Sequence, residues 1–127
     1  MMVSTGEGAR AKEASQNRFK NIIRILKDKN HTVFGIVLYP EYTPIVESYR
    51  AILDLKDAGI ETEFVVANMI LPEEVCVNDF FKNRRKMQMK YLKEIKERFT
   101  LPILQFPLMQ DEIKGLERLS GALDFIR

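Results

Sequence analysis

NDFFKNRRKMQMKYLKEIKERFTLPILQFPLMQDEIKGLERL, residues 78–119, decides the fold. Asn78 or Asp79 can cap a helix, because a short polar side chain satisfies the backbone N–H groups that the first turn leaves unpaired. Phe80, Met87, Tyr91, Leu92, Ile95 and Phe99 then form the apolar face of that helix at helical spacing. Residues 102–106 read as a short apolar strand, and residues 107–110 as a turn opened by Pro107. Residues 111–125 carry Ile113, Leu116, Leu119 and Leu123 and predict a last helix, with Asp111 and Glu112 favoured at its positive end. Helix, strand, proline turn and helix make the closing unit of a parallel α/β sheet.

The same alternation extends toward the N-terminus. Residues 32–39, TVFGIVLY, are almost continuously apolar and β-branched, the pattern of a strand covered on both faces. Pro40 stops that strand, and Thr43-Pro44 predicts a capped helix that runs through Ile45, Tyr49, Ile52, Leu53 and Leu55 to Gly59. Residues 63–68 predict a second strand, and residues 69–77 a linker. Before them, Phe19, Ile22, Ile23 and Leu26 mark an amphipathic helix over residues 11–29. The order α-β-α-β-α-β-α predicts an α/β fold with a small three-stranded, mostly parallel sheet and flanking helices. Residues 1–10 are expected to be disordered or a severed linker, and residues 11–127 a single α/β domain. A three-stranded sheet has edges that need cover, whether from a larger protein, a second copy or the domain itself.

Composition narrows the classes. The chain has 127 residues, 46% of them hydrophobic and 30% charged, with a net charge of +2, which suits one soluble globular domain. Cys76 is the sole cysteine and His31 the sole histidine, which excludes an internal disulfide and any histidine-based metal cluster. The expected compartment is the reducing cytoplasm. No apolar run approaches a membrane span, and the first ten residues lack the apolar core of a signal peptide. The predicted helix from Lys82 to Arg98 holds eight basic residues against Glu94 and Glu97. Without exposed aromatics between them this reads as a solvated face rather than a nucleic-acid surface, so no nucleic-acid partner is expected.

In a parallel sheet, ligands bind outside the carboxyl ends of the strands. Three loops lie there, at residues 40–43, 68–72 and 107–110. Asn68 ends the second strand, and an amide can donate and accept along the edge of a base. Pro107 follows the third strand directly. The residues alone leave open whether Asn68 and Pro107 meet a ligand or simply end their strands. No G-x-x-x-x-G-K-[ST] phosphate loop occurs in the chain, and no serine elbow with a histidine for a hydrolytic triad. No catalytic residue is assigned. Glu73-Glu74 and Asp111-Glu112 read as solvated or capping carboxylates.

Taken in order, several stretches resemble the C-terminal portion of the arsenite-pump and tail-anchored-protein-targeting ATPases. They are Thr32 to Val37 with Pro40-Glu41, Glu47-Ser48-Tyr49-Arg50, and Val65 to Glu74; Arg84 to Gln88 with Tyr91-Leu92; and Phe106-Pro107-Leu108 with Glu112 to Leu116. The resemblance covers roughly residues 15 to 120. It implies the C-terminal part of a P-loop NTPase-type, Rossmann-like fold, in a dimerising ATPase that uses ATP and magnesium in its intact form. By resemblance Asn68 contacts the adenine, and Pro107, Leu108 and Met109 form the loop lying over it. Glu47 and Arg50 match a recurring family pattern without an assigned role. The implied partners are the remainder of the ATPase or a second subunit, a homodimer included. Some relatives hold zinc with a Cys-x-x-Cys pair, but here those positions are Asn78 and Phe81, so no metal is expected. Without a phosphate loop the chain is not expected to hydrolyse ATP alone. The alternative is a free-standing, non-catalytic module that docks on a partner ATPase or another protein.

Overall fold

A computed structural model describes residues 6–125, with side chains described for residues 8–124. Two compact units divide the chain between Val33 and Phe34. The first unit is one helix, α1 (Gly6–Lys27). Residues 6–10 are helical, and the part of the expectation covering residues 1–5 lies outside the described residues. After the helix, the Asp28 carboxylate accepts from the Asn30 N–H at 2.9 Å and pairs with His31 at 2.7 Å. The Thr32 hydroxyl donates to the Ile25 carbonyl at 2.7 Å. Backbone donation from Asn30, then the His31 bond, hold the Asp28 carboxyl below its ordinary pKa.

The second unit is the α/β domain. Its order is β1 (Phe34–Leu38), α2 (Tyr42–Asp57), β2 (Thr62–Ile70), α3 (Asp79–Arg98), β3 (Ile103–Pro107) and α4 (Leu116–Ala122), with short 3₁₀ turns at Glu73–Val75, before α3, and at Leu123–Phe125, after α4. The three strands are parallel in the order β1-β2-β3, as the alternation predicts. Two successive right-handed crossovers stepping in the same direction put both helices on one face of a sheet. Consistently, Tyr49 of α2 meets Phe99, at the end of α3, edge to face at 6.1 Å. The core lies beneath them: Leu38, Val65 and Ala67 from the sheet pack with Ile45 of α2 and with Leu92, Ile95 and Phe99 at α3.

That arrangement corrects the expectation that β1 is covered on both faces. Its residues alternate, with Leu38 buried and Gly35 and Val37 exposed. On the exposed face Phe64 of β2 lies over Gly35, its register partner, so closely that a Cβ there would meet the ring at 2.2 Å. Gly35 is thus required by a close approach.

Several boundaries differ from the sequence reading. α2 begins at Tyr42, with Pro44 inside its first turn and tolerated because the first N–H groups need no partner within the helix. Gly59 ends the helix region at φ 84°, the left-handed conformation expected of it. Asn78 caps α3, its side chain accepting from the Phe81 N–H at 2.9 Å. Phe80, expected on the apolar face, lies in the first turn of α3 and is 66% exposed. The last helix is short: residues 111–115 are irregular and α4 starts only after Gly115, at φ 90°. A residue in that backbone conformation cannot continue a right-handed helix through the position.

Candidate functional site

β2 runs to Ile70, two residues farther than its sequence suggests. Asn68 is therefore inside the strand rather than at its end. Directly after it Met69 has φ 55°, a left-handed conformation outside glycine, which costs on the order of 1–2 kcal/mol. The β2–β3 register shifts between Ala67 and Ile70, so the kink falls in the break of the ladder.

A side chain of α3 occupies this break. Gln88 is only 8% exposed. Its Oε1 accepts from the Leu71 N–H at 2.8 Å, and its Nε2 donates to the Met69 carbonyl at 2.9 Å. Between these two residues, the Ile70 carbonyl accepts from the Leu108 N–H at 2.8 Å. The loops after β2 and β3 are thus tied to each other and to α3. Arg84 of α3 donates to Glu41 at 3.0 Å, tying in the chain that leaves β1. Three loops from three strands converge at the carboxyl edge, as ligand sites in parallel sheets require.

Gln88 was not among the candidates that sequence reasoning produced. Its spacing carried the signal: Gln88, Leu92, Ile95 and Phe99 recur at i, i+4, i+7 and i+11, the buried stripe of α3. A polar residue on such a stripe needs a partner inside the protein.

The four candidate residues share this edge but not one cavity. Asn68 lines a cavity of about 300 Å³ with Tyr39, Pro44, Glu47 and Ser48. Pro107, the register partner of Ile70, lines one of about 470 Å³ with Leu71, Pro72, Arg85 and Gln105. Leu108 lines a third, of about 350 Å³, with Tyr39, Met69, Phe80, Phe81 and Arg84. Met109 is half-buried in the loop after β3. Among the described residues the Asn68 side-chain amide has no hydrogen-bond partner, leaving both its donor and its acceptor available. Glu47 shares its cavity, and Arg50 stands exposed one turn along α2. A further cavity, of about 360 Å³, includes Tyr49, Thr62, Arg98 and Phe99 and lies at the opposite edge, away from these loops.

The edge offers an unpartnered amide, at Asn68, and apolar side chains in neighbouring cavities, at Leu71, Pro107 and Leu108. Among the described residues no three His, Cys, Asp or Glu are grouped to hold a metal ion. No described helix is long and apolar enough to cross a membrane.

Comparison with known proteins relates the chain to one family. The family described as anion-transporting ATPase matches residues 1–127. A protein of Halobacterium salinarum described as an arsenical pump-driving ATPase is 46% identical over 110 residues, which is 86% of this chain and 17% of that protein. A similarly described protein of Aquifex aeolicus is 35% identical over 121 residues, 92% of this chain and 31% of its own length. The ATPase get3 of Sclerotinia sclerotiorum is 38% identical over 95 residues, 73% of this chain and 28% of that protein. The chain therefore spans between 17% and 31% of the length of these relatives.

Proposed function

Because the chain belongs to the anion-transporting ATPase family, we propose that it is the adenine-side portion of such an ATPase, binding the base while other segments bind the phosphates and magnesium. The observation that carries the reading is the Asn68 amide, which has no partner at the carboxyl edge where the loop after β3 is tied to β2 through Leu108 and Ile70. In this reading the Asn68 carboxamide donates to and accepts from the edge of the adenine, and the 107–109 loop covers its face. Pro107 suits that task, since its rigid ring presents apolar surface and leaves no backbone donor unpaired.

Phosphoryl transfer depends almost entirely on positioning and neutralising the phosphates. The 127 residues contain no glycine-lysine phosphate loop, so in this reading the chain does not hydrolyse ATP by itself. The open face of β1, with Val37 exposed, supports a portion of a larger assembly over a free-standing module. Parallel sheets are ordinarily covered on both faces. The partner that covers it is the rest of the ATPase or a second subunit.

The reading is tested by titrating the ¹⁵N-labelled chain with adenosine and following its amide resonances. The Asn68 side-chain amide and the Leu108 and Met109 backbone amides are expected to shift together. Shifts confined to the opposite edge around Thr62, or none at all, would overturn the assignment and return attention to a docking module.

A further inference from the structure

Met69 is held in a conformation that its side chain disfavours. A strained residue of this kind persists only where its surroundings over-determine it. Here the restraint is identifiable: the Gln88 carboxamide grips the peptide groups on either side of Ile70, accepting from the Leu71 N–H and donating to the Met69 carbonyl. A primary amide can do both at once; a carboxylate cannot donate and a lysine cannot accept. Burial makes the loss of the Leu71 bond costly, since its abandoned N–H finds no water.

We infer that Gln88 is the positioning residue of the base-recognition edge: by locking the left-handed kink at Met69, it fixes where Asn68 presents its amide. The inference rests on the reading of Asn68 as the adenine contact. The φ of Met69 sets the plane of the peptide that joins it to Asn68. The Ile70 carbonyl, held within the same grip, is the acceptor for Leu108. Relaxing Met69 to negative φ therefore turns Asn68 and loosens its connection to the 107–109 loop together. Gln88 touches no base in this account; it acts through the backbone.

The test uses the full chain, with adenosine as ligand and three variants. Gln88→Leu keeps the side-chain volume and removes both bonds. It is expected to weaken adenosine binding about tenfold, and to lose the strong intraresidue H–N to Hα Overhauser effect that marks positive φ at Met69. Adding Met69→Gly to Gln88→Leu is expected to restore affinity to within about threefold of the original, because glycine takes positive φ without cost. A residue that merely packed the core would not be rescued this way. Unchanged affinity in a folded Gln88→Leu chain, retained positive φ at Met69, or failure of the glycine rescue each overturns the inference. Should Gln88→Leu not fold, Gln88→Glu keeps the acceptor for Leu71 and loses only the donor to Met69. Full affinity in that variant overturns the inference, and weakened affinity supports it. If the unsubstituted chain shows no response at Asn68, the adenine reading falls. The Met69 Overhauser effect in Gln88→Leu then decides the backbone role alone, its persistence refuting it.

Discussion

Placing an alanine at position 35 separates sheet geometry from glycine's intrinsic cost. Gly35 does not occupy the left-handed region, so alanine is conformationally allowed there. Taken alone, the substitution would stabilise by about 0.4–1 kcal/mol, by restricting the unfolded chain. The new Cβ, however, would lie 2.2, 2.3 and 2.8 Å from three carbons of the Phe64 ring. Ordinary carbon contacts are about 3.5–4.0 Å, so the ring must retreat by more than about 1 Å. Overpacking of this kind costs about 1–3 kcal/mol. The net expectation is a destabilisation of roughly 1–2 kcal/mol. With Phe64→Ala already present the obstruction is gone, and Gly35→Ala should be neutral or stabilising. Urea unfolding of the four proteins in this cycle, followed by far-ultraviolet circular dichroism, gives the coupling directly. A coupling of at least about 1 kcal/mol is expected. A Gly35→Ala chain that is more stable than the original, or a coupling near zero, would refute the placement of Phe64 over β1.

Three further outcomes follow from named contacts. Ile95 is fully buried beneath α3, so Ile95→Ala should cost about 2–5 kcal/mol in the same unfolding assay; a loss below about 1 kcal/mol would mean that α3 does not seal the core. Asn78→Ala removes the cap that receives the Phe81 N–H and should lower stability by about 1 kcal/mol, read as a lower melting temperature. The folded-state pKa of Asp28 lies below its unfolded value, through the Asn30 and then the His31 hydrogen bonds. Its contribution is therefore present above the unfolded pKa and fades as pH falls through the folded one. Carboxyl-detected titration should place the Asp28 midpoint below that of an ordinary aspartate, and a midpoint at or above it would contradict the turn geometry.

The alternation of strands and helices was legible because each element has a local cause. The β-branched runs of β1 and β2, the Asn78 cap and the left-handed Gly59 all depend on neighbours in sequence, and all stand in the structure. What sequence missed depends on neighbours in space. β1 reads as buried on both sides by composition, yet both crossover helices lie on one face and Val37 stays exposed. Ile113 fits a helical stripe with Leu116, but Gly115 adopts φ 90° and the helix begins only after it. Asn68 was legible as a polar residue closing an apolar run. The kink beyond it was not, since it depends on an amide from a helix seventeen residues or more downstream. In the sequence Gln88 lies among lysines and methionines; only its register with Leu92, Ile95 and Phe99 betrays that it faces inward.

The central claim, that this chain reads the base and leaves the phosphates to other segments, is tested most directly by comparing three ligands. Equilibrium binding of adenosine, ATP with magnesium, and inorganic tripolyphosphate should be measured on the purified chain under one set of conditions. The account predicts that adenosine and ATP bind within about threefold of each other, and that tripolyphosphate does not bind. ATP binding far tighter than adenosine, or tripolyphosphate binding on its own, would contradict it.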